Sequence, residues 1–169
     1  KIARYYGFDN INVDLMYGIP GETLKDLKKD IDMILDLKPD HISTYSLIVE
    51  DHTKVGNMGI VPIPEELDAS MYEMICERLK KEKFEHYEVS NFGKEGKKSK
   101  HNLTYWDNNE YYGFGMGASG YIHGVRYENT KTLNDYFEGK WIKSQEMLGK
   151  EDIMYNELTQ VDIKKMKEE

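Results

Sequence analysis

The chain has 169 residues, of which 39% are apolar and 32% are charged, and its formal net charge is −8. These values predict one folded globular domain or a piece of a larger one and argue against a nucleic-acid partner. No apolar run approaches the roughly 18 residues of a membrane helix, so we expect membrane association only through partners. The single cysteine, Cys76, favours a reducing, cytoplasmic location.

The first residues predict the end of a helix, with Gly7 as its stop, and no initiator Met precedes them. We therefore expect a fragment of a longer protein. Residues 11–17 then predict a buried strand, residues 23–37 an amphipathic helix capped by Thr23, and residues 41–49 a second strand. Short connections between them indicate a βαβ crossover with parallel strands.

Ligands of α/β sheets and barrels lie at the carboxyl ends of the strands, and in this chain those ends are residues 14–21 and 46–51. Asp14 is a charged residue inside an otherwise apolar strand. It indicates either a buried partner for the carboxylate or a polar ligand, and the pattern alone leaves both open.

The middle of the chain predicts a loop over residues 55–64, an amphipathic helix over 65–83 and a strand over 84–92. Further on, residues 121–127 predict a hairpin around Gly124, and Thr130 is expected to cap a short helix over 131–138. From Ser144 onward the sequence is polar and predicts helix.

Residues 86–122 concentrate aromatics, glycines and two of the five histidines. The mixture is typical of a ligand site, but it equally fits a buried hairpin whose glycines admit neighbouring backbone. The glycine run at 113–120 is a weak dinucleotide signal, since it does not follow the first strand of a βαβ unit. The histidines lack zinc spacing, and on spacing alone a structural role is favoured over axial ligation of haem iron.

Five motifs carry a resemblance that spans about residues 1–140. In order they are NVDLMYGIPGET (12–23), DHISTYSLIVEDHT (40–53), YEVSNF (87–92), HNLTYW (101–106) and EYYGFGMGASGY (110–121). Together they resemble the HemN/HemW group of radical S-adenosylmethionine proteins, which is related to oxygen-independent coproporphyrinogen III oxidase. The HNxxYW element is similar to HemW-type haem chaperones.

The resemblance implies an α/β fold, namely the C-terminal half of a radical-SAM partial TIM-like barrel followed by a small α+β covering region. Residues 1–83 would form the later βα units of the barrel. Residues 84–140 would form the covering region with HNxxYW, and residues 141–169 a polar helical tail that is truncated or divergent.

The resemblance also implies site residues. Asp14 matches the strand aspartate that contacts S-adenosylmethionine, and Ile48 falls where the next strand offers its backbone to the same ligand. His101 matches the histidine implied in haem binding, as a ligand of the iron, and Tyr105 and Trp106 would line or support that site.

One expected motif is missing. The family binds a 4Fe–4S cluster through CxxxCxxC, and one cysteine cannot hold such a cluster. We therefore expect the cluster and S-adenosylmethionine to belong to the parent protein and the chain itself to be catalytically silent. The resemblance implies a chaperone that binds haem and delivers it to haem proteins. The alternative is coproporphyrinogen III oxidase, which oxidatively decarboxylates propionate side chains by radical chemistry.

Overall fold

The computed structural model describes residues 1–49 and 54–149. In chain order their elements are α1 (Ile2–Tyr5), β1 (Asn12–Tyr17), α2 (Leu24–Asp36), β2 (His41–Ser46), α3 (Lys54–Asn57), α4 (Glu65–Lys81), β3 (Glu85–Glu88), β4 (Asn91–Gly93), α5 (Lys100–Trp106), β5 (Ser119–Ile122), β6 (Val125–Asn129), α6 (Leu133–Phe137) and β7 (Ile142–Met147). Within these two ranges no helix has the length and apolar composition that a membrane span requires.

The first compact unit, Lys1–Ser99, is built on a four-stranded sheet with the strand order β1-β2-β4-β3. β1 and β2 pair in parallel from Asn12 opposite His41 to Tyr17 opposite Ser46, which confirms the predicted crossover. β4 lies antiparallel to β2 and to β3. The parallel pair gives the sheet one edge where the carboxyl ends of two strands meet.

The two long helices of this unit cover one face of the sheet and form its core. α2 begins where predicted, because the Thr23 hydroxyl accepts a hydrogen bond from the Asp26 amide in a capping box. The buried apolar side chains of the core, contributed by both helices and by the sheet, are Leu15, Tyr17, Leu27, Ile31, Ile42, Met71, Ile75, Leu79, Phe84 and Phe92. Helix–sheet packing thus leaves the opposite face of the sheet for polar side chains.

The region predicted as one strand over residues 84–92 is instead a hairpin. β3 and β4 are antiparallel, with a register shift between His86 and Glu88 and a tight connection at Val89 and Ser90. Because β4 pairs with β2, this hairpin belongs to the first unit, and the boundary falls after Ser99 rather than after residue 83. The predicted loop over residues 55–64 also begins with the short helix α3.

The second unit starts at Lys100 and contains an antiparallel sheet with the order β5-β6-β7. The predicted hairpin around Gly124 is confirmed, and both His123 (φ 50°) and Gly124 (φ 78°) adopt the left-handed backbone that a tight two-residue turn needs. Gly120 lies so close to the Tyr127 ring that a Cβ atom would overlap it.

Two predictions for the end of the chain are wrong. The short helix is α6 and is capped by Thr132, whose hydroxyl accepts from the Asp135 amide, while the hydroxyl of Thr130, two residues before this cap, accepts from the Thr132 amide. The tail from Ser144 is not helical as far as Met147, since those residues form part of β7 and pair with β6. Residues 150–169, the rest of the predicted helical tail, lie outside the described residues.

Candidate ligand-binding sites

The strand β1 divides its side chains between the two faces of the sheet. Leu15 and Tyr17 are buried against the helices, whereas Asn12, Asp14 and Met16 are exposed on the opposite face. The Asp14 carboxylate accepts a hydrogen bond from Asn12, with 2.7 Å between Nδ2 and Oδ1. Among the described residues no basic side chain pairs with it. Asp14 is thus exposed, and its carboxylate has no buried charged partner among the described residues.

A histidine that sequence reasoning did not select lies beside Asn12. The His41 ring is 4% exposed, and its Nδ1 is 2.7 Å from Asn12 Oδ1 while its Nε2 is 2.6 Å from the Tyr87 hydroxyl oxygen. The Tyr87 hydroxyl also accepts a hydrogen bond from the Ser99 amide at 3.2 Å. These bonds form a continuous chain from the Ser99 backbone to the Asp14 carboxylate.

The donors and acceptors of the side chains fix the direction of each hydrogen bond in this series. Asn12 donates to Asp14 with Nδ2, so its Oδ1 is the acceptor that faces His41, and His41 must donate from Nδ1. A neutral imidazole then accepts at Nε2, and the Tyr87 hydroxyl is the donor. Burial lowers the pKa of His41, against the opposing charges of Glu88 and Asp14, which keeps the ring neutral.

Acidification is expected to destabilise the first unit through His41. Its folded pKa lies below the ordinary 6.5, so the unfolded chain takes up a proton before the folded chain does. The free energy of unfolding should be constant above about pH 6.5 and fall below it, until the folded pKa is reached. Urea titrations between about pH 8 and about pH 5 measure this slope. In a His41→Asn variant the free energy of unfolding should depend less on pH over this range. An equal slope in that variant would contradict a buried, neutral His41.

Two further buried polar residues lie close to these hydrogen-bonded side chains. Glu88 and Asn91 are each 5% exposed, and the Glu88 carboxylate accepts from the Asn91 side-chain amide and from the Ser90 backbone amide. Asn91 Oδ1 is buried without a hydrogen-bond partner among the described residues. The sheet therefore carries a polar cluster that sequence reasoning recognised only in part, through Asp14.

Ile48 follows β2 and is 77% exposed, so its side chain contributes nothing to the core. The neighbouring Leu47 amide donates to the Tyr17 carbonyl at 2.8 Å, which ties this segment to the end of β1. The structure thus places Ile48 and Asp14 in the same unit, on neighbouring parallel strands or directly after them.

The HNLTYW element forms the helix α5 in the second unit. His101 is exposed, and its ring lies edge-on to Tyr105 one turn later, with 4.8 Å between the ring centroids. Tyr105 in turn contacts Tyr111 at 4.5 Å. Burial raises the pKa of the Tyr111 hydroxyl, so that group stays protonated. The three rings form a short aromatic row that starts at an accessible imidazole.

A pocket of about 260 Å³ lies against this row. Its lining residues all belong to the second unit and are Tyr105, Trp106, Asn108, Asn109, Tyr111, Tyr121, Arg126 and Leu148. His101 is not among them. Arg126 supplies the pocket with a cation, which Glu146 neutralises only weakly at 3.5 Å. Sequence reasoning found Tyr105 and Trp106 but not Arg126, which comes from the following hairpin.

The glycine run beside α5 is closely packed backbone. A Cβ atom at Gly113 would overlap the Ser119 carbonyl, and the Asn129 side-chain amide donates to the carbonyls of Gly113 and Gly115 at 3.1 and 2.8 Å. Close packing thus requires glycine at 113, and the left-handed backbone favours it at 115 and 117 (φ 86° and 70°), without a nucleotide.

A 4Fe–4S cluster does not fit the described residues. Cys76 lies in α4 against Tyr72 and the core, and burial raises the pKa of its thiol, the opposite of what a thiolate ligand needs. Residues 1–49 and 54–149 contain no group of three or more histidine, cysteine, aspartate and glutamate side chains able to hold a metal ion. Any metal role of His101 is therefore that of a single axial ligand.

Comparison with solved structures identifies the fold. The chain superposes on the structure described as "Coproporphyrinogen III oxidase (HemN) from Escherichia coli is a Radical SAM enzyme" with a TM-score of 0.76 and 16% identity, covering 95% of this chain and 42% of that one. The α/β fold class is thus confirmed as part of the radical-SAM fold. The chain matches no protein-family model.

Curated relatives identify the family to which the chain belongs. The haem chaperone HemW of Lactococcus lactis is 50% identical over 136 residues, which are 78% of this chain and 36% of that protein. HemW of Bacillus subtilis is 46% identical over 140 residues, 80% of this chain and 37% of the relative. HemW of Escherichia coli K12 is 31% identical over 150 residues, covering 86% and 40%. The chain belongs to the HemN/HemW family, and it spans little more than a third of the length of these relatives.

Proposed function

We propose that the protein binds haem and delivers it to haem proteins, as the name of its HemW relatives describes. The observation that carries this proposal is the placement of His101 on α5, exposed and followed by an aromatic row that leads to a pocket with one arginine. The same constellation suits a carrier, because a ligand held at an open surface is easily released.

The His101 imidazole is available to iron. Among the described residues its ring contacts Tyr105 and takes part in no hydrogen bond or ion pair, so a nitrogen lone pair is free to coordinate an axial position of haem. The accessible ring also costs little desolvation when the ligand enters or leaves.

The pocket supplies complementary contacts for a porphyrin edge. Tyr105, Trp106 and Tyr111 offer flat apolar faces, and Arg126 offers a cation to a propionate carboxylate. A volume of about 260 Å³ accommodates only part of a macrocycle, so most of a bound haem would remain at the surface.

The family relation also supports S-adenosylmethionine and a 4Fe–4S cluster as cofactors of the whole protein, which in radical-SAM enzymes supply a 5′-deoxyadenosyl radical. Within this chain we assign Asp14 and Ile48 to S-adenosylmethionine. The Asp14 carboxylate would accept hydrogen bonds from the ribose hydroxyls, and the backbone of the exposed Ile48 would contact the same ligand. The cluster would have to be held by residues outside the described ones.

Replacing Asp14 with asparagine is expected to weaken S-adenosylmethionine binding by roughly tenfold or more, because hydrogen bonds to a charged acceptor contribute about 1.5–3 kcal/mol each. Isothermal calorimetry on the full-length protein measures the affinity. Asp36→Asn, at an exposed position on α2, is the matched control and should bind like wild type. Equal affinity of all three proteins would remove Asp14 from the site.

The alternative is an oxygen-independent coproporphyrinogen III oxidase. Its support is the likeness to HemN, which at 16% identity establishes the fold alone, whereas the HemW relatives reach 50% identity. HNLTYW also favours the chaperone. We therefore retain the oxidase as the second candidate.

Anaerobic incubation with coproporphyrinogen III, S-adenosylmethionine and a reductant separates the two candidates. A chaperone should bind haem at about one equivalent in a spectroscopic titration and leave the propionates of coproporphyrinogen intact. Decarboxylated product together with absent haem binding would establish the oxidase.

A further inference from the structure

We propose that His41 is a positioning residue, which holds the Asp14 carboxylate, through Asn12, in the orientation that receives the ribose hydroxyls of S-adenosylmethionine. The proposal rests on the role assigned above to Asp14. It starts from the hydrogen-bonded chain on the polar face of the first sheet, which runs from the Ser99 amide to an exposed carboxylate.

The hydrogen bonds of Asn12 fix the orientation of its side-chain amide. Its Oδ1 accepts from His41 Nδ1 at 2.7 Å and from the Ser43 hydroxyl at 3.2 Å, so two donors converge on one oxygen. A flipped amide would turn its NH₂ group toward both donors. The carbonyl end is therefore fixed toward β2, and the Nδ2 end is left to face Asp14.

The hydrogen-bond partners of His41 determine its tautomer. Its Nδ1 carries the proton only if Nε2 is the acceptor, and Nε2 faces the Tyr87 hydroxyl at 2.6 Å. The other end of the series sets this direction, because Asp14 can only accept from Asn12 Nδ2, so Asn12 Oδ1 faces Nδ1 and Nε2 accepts from the Tyr87 hydroxyl. Lys98 Nζ lies 5.9 Å from the centre of the Tyr87 ring and supports its position. The Asp14–Asn12 hydrogen bond thus selects the Nδ1–H tautomer, and the Ser99 amide holds the Tyr87 hydroxyl in place.

The hydrogen-bonded series ends on an exposed carboxylate. His41 and Tyr87 are 4% and 7% exposed, whereas Asp14 is exposed. A network that served only the core would end on a buried group. This one ends on a carboxylate with Oδ1 held by Asn12, and no described residue occupies its Oδ2. Pre-orienting an exposed acceptor lowers the entropy that a ligand must remove when it binds.

Two substitutions separate the positioning role from simple burial. In His41→Asn the side-chain amide nitrogen lies near the former Nδ1 and still donates to Asn12, but the contact with Tyr87 is lost. In His41→Gln the longer side chain reaches Tyr87, but the donation to Asn12 is lost. Calorimetry on the full-length protein should give near wild-type affinity for His41→Asn and an affinity about five- to tenfold weaker for His41→Gln.

The imidazole nitrogens of the wild-type protein give a second readout that does not depend on any variant. ¹⁵N-resolved NMR should show His41 neutral, with the proton on Nδ1 and a bare Nε2. Tyr87→Phe should keep the proton on Nδ1, because Asn12 Oδ1 remains its acceptor. A wild-type proton on Nε2 would overturn the proposal, even if the His41 variants failed to fold.

The measured affinities separate a failure of the positioning role of His41 from a failure of the proposed S-adenosylmethionine site. Unchanged affinity in Asp14→Asn would overturn the site at Asp14 and the role of His41 with it. Weaker binding in Asp14→Asn with equal affinities in His41→Asn and His41→Gln would overturn the positioning role alone. Selective loss in His41→Gln, with the Nδ1–H tautomer in the wild type, would support it.

Discussion

Replacing His101 with alanine is expected to raise the Kd for haem at least about tenfold, which corresponds to about 1.4 kcal/mol, and to remove the shift of the Soret band that axial imidazole ligation produces. The reason is that the imidazole would be the iron ligand, while the aromatic row and Arg126 contribute contacts with the porphyrin. Alanine keeps α5 intact, since it has the highest helix propensity of all residues. Spectroscopic titration of the full-length protein with haem measures both quantities.

A second exposed histidine provides the control. His123 lies in the turn between β5 and β6, where its side chain is 88% exposed and 3.4 Å from Glu110. His123→Asn keeps a residue that tolerates the left-handed backbone of this turn and should leave the haem spectrum unchanged. The same spectrum and affinity in His101→Ala as in wild type would remove His101 from the haem site.

Truncating Phe92 to alanine is expected to lower the free energy of unfolding by about 3–5 kcal/mol, the cost of a large cavity in a packed core. Phe92 is 1% exposed on β4, opposite Ile42 of β2, and its ring stacks on His86 with 4.3 Å between the centroids. The loss combines burial with this ring contact. Denaturant titration of the wild-type and variant chains measures the difference.

Phe114→Ala is the matched control, because the same ring is deleted at a side chain that is 85% exposed. It should change the free energy of unfolding by no more than about 0.5 kcal/mol. A small effect of Phe92→Ala, comparable to that of Phe114→Ala, would contradict the core described for the first unit.

The β1–α2–β2 crossover was predictable because local signals agree with the fold. Thr23 and Asp26 form the expected capping box, and the apolar period of α2 matches its buried face. The 84–92 region was not predictable in the same way. Its apolar and polar residues fit one strand, and only pairing of Asn91–Gly93 with β2 makes it a hairpin. Such long-range pairing leaves no local signal.

The candidate site residues differ in the same way, because some carry a local sequence signal and others do not. Asp14 stands out in sequence as a charge in an apolar strand, and the HNLTYW motif draws attention to His101. His41 gives no such signal, because its role follows from the parallel register that sets it opposite Asn12. Arg126 likewise reaches the pocket only through the β5–β6 hairpin. Residues that act through tertiary neighbours need the structure to be found.

Haem transfer to an acceptor protein is the direct test of the proposed chaperone function. The full-length protein, loaded with one equivalent of haem, is mixed with an apo haem protein, and the acceptor's own Soret spectrum is followed. We expect transfer from the wild type and from His123→Asn, and little loading or transfer with His101→Ala. A wild-type protein that binds no haem, or that retains it in the presence of the acceptor, would contradict the proposed haem-chaperone function.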